Sequence, residues 1–535
     1  MTDRLRTGRI GVAALIVGGG ILLSRLLGIL REIIFAAMLG ADAITDEYVA
    51  AFRIPDYANY LLAGGFLTIT FIPIFSKYLA DDREGEGWTS FTAIIRWLAI
   101  GISGLIVVGW LLAPSVLAWL YPEFTTEQLV NTTRLTRIIL PAQFAFVVGA
   151  MFVAVQYAKG IFVIPAAAPV VYNLGIIAGG VGFALATGDA DPEGFIWGAL
   201  VGAFAGNFAL QWWGAKRAGL TFRWAARWLH PAVKQYLLLA IPLMIGQSIV
   251  ALDETFMSVF GDLVGDGVQT QLQFARRTML VPVGIIAQAA AVAAFPFMAR
   301  LFAEGRTDEL NATVDRSLRW VLGLSIAATG LLVAMSVPVI RTLFERYAFG
   351  ETDSAAAAAA LFFYAFAIPV WGGLQIITRA FYARRQMWTP VIVGTIATVV
   401  AIPLFNLLAD RFGIEGVALA STLILSFYTI TLAVVWYRGV DGRQRFTRVL
   451  DWAGRAVPLA VVGGAAGFVV SWVIADQVPG QTTLVNALAV VAGGIAFLGA
   501  AVLLGSYLYD LLHRAVRREP RPPTTTDHQD VLELL

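Results

Sequence analysis

The stretch Ser24-Arg25-Leu26-Leu27-Gly28-Ile29-Leu30-Arg31-Glu32 decides how this chain is read. It lies in a run that starts at Ile10 and is otherwise apolar, so Arg25 stands more than a dozen residues into it. At that depth a guanidinium cannot easily reach the near interface. A charge held inside a bilayer usually faces a cavity or a partner. Two readings follow. Arg25 pairs with Glu32, seven residues on and roughly on the same helix face, or it is an anion-binding group lining a cavity.

Composition supports the bilayer as solvent. Hydrophobic residues make up 58% of the 535 and charged residues 14%, where soluble domains carry roughly 25% charged. A spanning helix needs roughly 20 mostly apolar residues. Such runs recur from residue 10 to residue 513. The expected fold is an all-α membrane protein with about fourteen transmembrane helices, beginning near residues 10, 44, 89, 128, 162, 194, 232, 268, 311, 355, 388, 414, 450 and 482. Arg4, Arg6 and Arg9 before an apolar run resemble a signal peptide. The run passes Gly20 without a small-residue cleavage site and carries Arg25 and Arg31, so it reads as the first span. The polar, proline-containing end from Pro520 reads as a disordered cytoplasmic tail.

Several function classes drop out. There are no cysteines, which excludes disulfides and thiolate chemistry. His230, His513 and His528 fall at apparent helix ends or in the tail, so no zinc site or histidine triad is expected. No phosphate-binding Gly-rich loop with Lys-Ser/Thr occurs, so nothing suggests ATP hydrolysis. The chain reads as a transporter driven by a gradient or the membrane potential, and not as an enzyme.

The net charge of +2 says little, but its placement is informative. Connections after even-numbered spans are basic: Lys216 to Lys234, Arg300 and Arg306, Arg384 and Arg385, Arg438 to Arg448, and Arg514 to Arg521. The opposite loops are acidic or neutral: Ala41 to Ala43, Tyr121 to Glu123, Gly188 to Glu193, Gly261 to Gln269, and Asp476 to Thr482. The exceptions are the acidic residues Asp81 to Glu86 and the outer Arg341 and Arg346. The positive-inside rule then puts both termini in the cytoplasm.

The chain also repeats itself. Tyr157-Ala158-Lys159 with Pro165 matches Tyr382-Ala383-Arg384 with Pro390 at an offset of 225. Pro73, Lys77, Arg96 and Trp97 match Pro296, Arg300, Arg319 and Trp320 at 223, and Arg53 matches Arg277 at 224. Two six-helix copies of the same orientation are therefore expected, residues 1–230 and 231–448, as parallel repeats with a site at their interface. Residues 449–518 add two spans, and 519–535 form the tail.

The intramembrane charges define the candidate site. Arg25 and Arg31 on the first span, Arg53 with Asp46 on the second, and Arg277 beside Arg276 on the eighth would line a cationic cavity. Arginine forks suit phosphate oxygens, so the expected substrate carries several negative charges, as a pyrophosphate does. Asp253, Asn406, Asp410, Thr422 and Ser426 offer oxygens that could hold sodium or relay protons. The plainer alternative is a hydrogen-bonded network, or Asp410 paired with Arg411 at the interface.

These residues resemble a known family. Ser24 to Gly28 through Arg31-Glu32, then Leu39-Gly40-Ala41, Thr45-Asp46, Ala51-Phe52-Arg53-Ile54-Pro55 and Phe71-Ile72-Pro73-Ile74-Phe75, look like the MurJ (MviN) lipid II flippases. Ala275-Arg276-Arg277, Pro282, Tyr382 and Thr389-Pro390 continue the fit across the chain. The resemblance implies the MOP exporter fold, with two lobes around a central cavity and two extra C-terminal helices forming a lipid-tail groove. It implies outward flipping of the undecaprenyl-pyrophosphate-linked peptidoglycan precursor, lipid II, across the bacterial cytoplasmic membrane, by a protein that works as a monomer and binds no nucleic acid. It carries substrate contact to Arg25, Arg31, Asp46 and Arg277, and a sodium site to Asp253, Asn406, Asp410, Thr422 and Ser426.

The chain departs from the family pattern at Asn59 to Phe66, where an arginine and a glutamate are usual, and at Leu280, where a glutamate is common. Another polyprenyl-pyrophosphate-linked saccharide, a drug, or a non-transporting role as a cell-wall scaffold are the alternative readings.

Overall fold

The structure is a computed structural model that describes residues 2–516 apart from 63–65, 226, 229, 439–441 and 478–482. The tail expected from residue 519 and the segment around Gly64 lie outside the described residues. Among the described residues there is no β-strand, and nearly everything is helical.

The first half contains α1 (Thr2–Leu39), a broken run of α2 (Ala43–Ala51), α3 (Arg53–Leu62) and α4 (Phe66–Ala80), and α5 (Glu84–Leu120). Then come α6 (Thr126–Ile139), α7 (Ala142–Ala158), α8 (Val163–Thr187), and α9 (Pro192–Gly202), which runs through π-helical Ala203–Ala209 into α10 (Leu210–Arg217). The second half contains α11 (Pro231–Val264), α12 (Val268–Val283) running through π-helical Gly284–Gln288 into α13 (Ala289–Ala303), and α14 (Thr307–Ala334) with α15 (Ser336–Phe344). It continues with α16 (Glu351–Ala365), α17 (Ala367–Ala383) and α18 (Trp388–Trp436), and α19 (Gly442–Gln477) and α20 (Thr483–Val516) are the last described helices.

By length and composition, eight helical runs among the described residues can cross a membrane, nine with the pair α16 and α17, bent by 45°, taken as one span. At 49 residues α18 would measure about 74 Å if straight, more than twice a bilayer core. It is broken at Gly413, whose φ of 55° and ψ of −133° leave the helical region. The expected eleventh and twelfth spans are its two arms. Other helices begin several residues before their apolar cores. Glu84 and Glu86, and Asp308 and Glu309, occupy the first turns of α5 and α14, where carboxylates favour the positive helix end.

The repeat is visible in the elements. Glu84 and Thr307 open their helices 223 residues apart, while Thr126 and Glu351, and Val163 and Trp388, do so 225 apart. Lys77 and Arg300 each lie in the last turn of a helix. Trp97 meets Trp228 edge-on at 5.8 Å between ring centroids, and Trp320 meets Trp452 at 6.2 Å.

The loops on the acidic face are short and capped. Asp42 caps α2, Thr125 caps α6 in a reciprocal pair with Gln128, and Asp191 caps α9 ahead of Pro192. Each cap gives a side-chain oxygen to an otherwise unpaired N–H.

The buried residues show how the lobes meet. One apolar cluster joins Phe35, Tyr48, Ile139 and Phe195 of the first half to Phe260, Phe274, Phe344 and Phe349 of the second. Phe274 stacks on Phe344 at 4.7 Å and meets Phe35 at 6.3 Å. Phe35, Phe260 and Phe344 lie near the ends of α1, α11 and α15, and Phe274 lies in the second turn of α12, on the acidic face. A separate cluster around Phe71, Phe75, Trp88, Phe91 and Phe152 lies toward the basic face, within the first half except for the start of α11. There Ala232, Val233, Tyr236 and Ala240 are buried among first-half residues. A sequence boundary at residue 231 therefore does not coincide with a packing boundary.

Small residues set a close crossing between α8 and α9. Gly175 and Gly179 of α8 face Gly194, Gly198 and Gly202 of α9, spaced four apart on each helix. A Cβ on Gly198 would stand 2.9 Å from the Gly179 Cα, and one on Gly202 2.9 Å from the Tyr172 carbonyl oxygen. Helix association in lipid relies on such close packing because lipid chains remove the hydrophobic drive. Gly198→Val should therefore cost about 1–3 kcal/mol or more. We expect a sharply lower monodisperse fraction in size-exclusion chromatography, whereas Gly182→Ala, in open space, should behave as wild type.

Candidate functional site: a charge-paired cavity between the halves

Arg31, Arg53, Arg276 and Arg277 line one cavity of about 260 Å³. Tyr48, Phe52, Asp56, Tyr172, Glu254, Gln273 and Leu280 complete much of its wall. Thus α1, α2, α3, α8, α11 and α12 all contribute. Arg53 and Arg277, the pair matched by the repeat, meet in the same cavity from opposite halves. That is the outcome expected when two similar units face each other.

The arginines are not free to act as a bare cationic surface. Glu32, 6% exposed, pairs with Arg31 and with Arg277. Arg31 also donates from Nη1 to Asn173 Oδ1 at 3.1 Å. Arg276 pairs with Asp253 at 2.9 Å and lies 3.7 Å from Glu254. Arg53 lies 3.9 Å from Glu254 and donates from Nε to the Val49 carbonyl oxygen at 3.3 Å. Four arginines are thus set among four carboxylates, Glu32, Asp56, Asp253 and Glu254. Consecutive helix residues point about 100° apart, so Arg276 turns to α11 and Arg277 turns to α1.

Arg25 does not join them. It is six residues, close to 9 Å of rise, from Arg31, and leaves α1 about 120° away. Its Nη2 donates to Gln288 Oε1 at 2.6 Å, across to the π-helical turn. Gly284 makes room for it, since a Cβ there would overlap the guanidinium. The sequence pairing of Arg25 with Glu32 is corrected accordingly. Seven residues place the two on one face but about 10 Å apart along the axis, and Glu32 is taken by nearer arginines.

Asp46 is also placed differently from a cavity contact. It is 2% exposed and accepts from the Gly267 N–H at 2.8 Å, the Thr270 N–H at 2.9 Å and the Thr270 Oγ1 at 2.8 Å. It therefore caps the first turn of α12 from the other half of the protein. Beside it, Gly267 has φ of 79° and approaches Ala41 so closely that a side chain would strike its carbonyl.

Further polar ties cross the same seam. Tyr57 donates to Thr255 Oγ1 at 2.7 Å, and the hydroxyls of Tyr121 and Ser258 lie 2.7 Å apart. Glu254, Thr255 and Ser258 thus present one stripe of α11 to the first half.

The proposed cation ligands do not gather. Asp253 faces Arg276 and accepts from Ser421 Oγ at 2.8 Å. Thr422 donates to backbone carbonyls of Phe363 or Ala418, and Ser426 donates to the Thr422 carbonyl. Asn406 and Asp410 are exposed near the Gly413 break. Among the described residues no three His, Cys, Asp or Glu side chains form a metal-binding group.

The sequence reading missed the roles of Glu32, Asp56, Glu254 and Asn173 in this cavity. The signal for Glu32 was its position directly after Arg31. Nothing in the sequence marked Asn173, which arrives from α8.

A sequence profile described as lipid II flippase MurJ matches residues 35–487. The chain belongs to the MurJ lipid II flippase family. It is 28% identical over 541 residues to a probable lipid II flippase MurJ of Rhizobium tropici, covering 96% of this chain and 98% of that protein. It is 26% identical over 524 residues to the Rhizobium meliloti protein of the same description, covering 94% and 95%. Among solved structures, a lipid II flippase MurJ in an inward closed conformation superposes with a TM-score of 0.72 at 18% identity, over 94% of this chain and all of that one. An inward-facing MATE family multidrug transporter of the MOP superfamily gives 0.63 at 14% identity, over 80% and 96%. The fold is therefore the MurJ and MATE architecture. Family membership makes the chain a transporter and not an enzyme. Leu280 does line the cavity, so the departure from the family pattern changes its wall.

The Asp46 contacts generate a direct test. The chain lacks cysteine, so Ala41→Cys gives a single label at the acidic-face seam. Adding Asp46→Ala removes the acceptor of three hydrogen bonds and leaves the Thr270 and Gly267 donors unpaired, a cost of about 1–3 kcal/mol or more. We expect the rate of maleimide labelling at position 41 to rise about tenfold, as a shift of about 1.4 kcal/mol would give.

Proposed function

We propose that this chain flips lipid II from the cytoplasmic to the outer leaflet by alternating access, with the cavity at Arg31, Arg53, Arg276 and Arg277 receiving the pyrophosphate. The observation that carries the reading is the Glu32 bridge. One carboxylate holds an arginine from each half, Arg31 and Arg277. A pyrophosphate offers more negative charge and more acceptors than a carboxylate. It can take both guanidinium groups in forked contacts and release Glu32. Removing one partner from a buried ion pair costs about 3–5 kcal/mol, so the exchange bears directly on the tie between the lobes.

The orientation proposed from charge makes the acidic face the outer one, with both termini cytoplasmic. The shared phenylalanine cluster, the Asp46 cap and the α11 hydroxyl stripe then close the outer side. The headgroup enters from the basic face, engages the arginines, and loosens the outer seam. Asp46 serves as part of that closure rather than as a headgroup ligand.

The same proposal assigns α19 and α20 to the lipid tail. Their outward faces carry Val461, Phe468, Val469, Leu488, Val491 and Ile495, all exposed. The protein acts as a monomer in the bacterial cytoplasmic membrane. Sodium or the membrane potential would drive it. The pairing of Asp253 with Arg276 favours the potential, because a carboxylate already neutralised attracts sodium weakly.

Cells depleted of their own lipid II flippase provide the test. The wild-type chain should restore growth, and Arg277→Ala should fail while inserting and purifying at wild-type levels. A non-transporting scaffold would fail to rescue even as wild type. Full rescue by Arg277→Ala would remove the pyrophosphate assignment. Glu32→Gln, which keeps shape but loses the charge, should bind an undecaprenyl pyrophosphate analogue more tightly than wild type, by about fivefold if it relieves about 1 kcal/mol of competition.

A further inference from the structure

The two halves end differently on the basic face, and the difference points to a second anion site. In the first half, Lys159 follows α7 and pairs with Glu84, the first residue of α5. Trp88 closes this corner, donating from Nε1 to Glu84 Oε1 at 3.0 Å, with Lys159 Nζ 5.6 Å from its ring centre. The contact with Lys159 holds the Glu84 carboxyl below its ordinary pKa. Cation, carboxylate and indole are mutually satisfied.

The second half repeats the corner without the carboxylate. Arg384 stands where Lys159 stands, 225 residues on. Thr307 opens α14 where Glu84 opens α5, 223 residues on. Arg384 lies 3.8 Å over the Trp436 ring and donates from Nη2 to Asn311 Oδ1 at 2.6 Å. Its buried Nε, and the buried Nε1 of Trp436, find no hydrogen-bond partner among the described residues. Burial, and then the neighbouring Arg445, lowers the Arg384 pKa from its ordinary value, the opposite of a cation with its counter-ion in place. Asp315, on the same helix as Asn311, is taken by Arg445 in two contacts of 2.7 Å and by the Tyr437 hydroxyl at 2.7 Å.

Around Arg384 lies a cavity of about 690 Å³, lined also by Thr307, Asn311, Arg385, Trp388 and Arg445. Two features aim more positive charge into it. Arg385 has φ of 59°, in the left-handed region that side chains rarely adopt. Its counterpart in the first half is Gly160, at φ of 74°. The conformation suits glycine, yet the second half keeps an arginine there. Trp388 and Thr389 open α18, whose start has no side-chain cap, so the positive end of the helix adds to the field at this corner.

We propose that this corner of the second half is a binding site for a phosphate group, taken from an anionic phospholipid headgroup or from a soluble phosphate, that replaces the carboxylate which Glu84 supplies in the first half. The bound anion joins α14, α17, α18 and α19, as Glu84 joins α5 to α7. Arg384, Arg385 and the α18 N-terminus provide the donors, and the exposed Trp388 flanks the entrance.

The test uses the full chain purified in detergent. Thermal unfolding is followed with added phosphatidylglycerol, with phosphatidylcholine, and with inorganic phosphate against chloride at equal ionic strength. Two variants import the first half's own solution: Thr307→Glu supplies the missing carboxylate, and Arg385→Gly supplies the turn residue. Both are expected to fold, because the other corner uses these residues. Wild type should gain on the order of 3 °C or more with its ligand, and both variants should lose at least half of that gain. A gain with phosphatidylglycerol and not with phosphatidylcholine or phosphate identifies a lipid headgroup as the source. A gain with inorganic phosphate identifies a soluble one. No gain with any phosphate ligand, or an equal gain in wild type and both variants, overturns the site.

Discussion

An ion pair buried between two lobes governs this protein. Charge is expensive inside a bilayer, and the expense falls steeply when each charge has a partner. Arg31, Arg277 and Arg276 could not be kept in the cavity as isolated cations. Glu32, Asp253 and Glu254 make them tolerable. Because the partners of Arg277 and Arg53 sit on the opposite half, neutralising the charge also joins the lobes. The arrangement of the rest follows. The apolar seam of Phe35, Phe274 and Phe344 gathers at the end where the polar ties cross, and the other end has the separate core around Phe91.

This constraint links binding to movement. A cavity lined by bare arginines would attract an anion but would not respond to it. A cavity whose arginines are already paired must exchange partners. The incoming phosphate competes with a carboxylate that holds the halves together, so binding energy acts on the seam. A ligand can shift a conformational equilibrium only by its differential affinity for the two states. The Glu32 bridge, present in one state and exchanged in the other, supplies such a difference.

The duplication shows the same economy at a different place. The two halves keep their helix starts and several signature residues in register, and the glycines of α8 and α9 allow the tight crossing that anchors the first of them. At the basic-face corner they part, with Glu84 and Gly160 in one and Thr307 and Arg385 in the other. Where the first half has a self-contained ion pair, the second half has a cavity in which Arg384 meets the amide of Asn311.

Apolar run length, the depth of Arg25, the basic loops and the offset of 223 to 225 were enough to give a membrane protein of duplicated lobes with charged helices between them. Such features are local or periodic, and the bilayer converts them into structure with little ambiguity. The Gly413 break fell where the twelfth span was expected to start. Partner choice was not legible in the same way. Arg25 turned to Gln288, Glu32 to Arg31 and Arg277, and Asp46 to the start of α12. Asn406 and Asp410 stayed exposed, while Asp253 paired with Arg276. A helix sequence fixes which face a side chain leaves by, but not which helix stands opposite or at what height. Those depend on how α1, α2, α11 and α12 cross. The crossing is set by packing summed over whole helices, so the charges that define the cavity acquired their partners only in the tertiary structure.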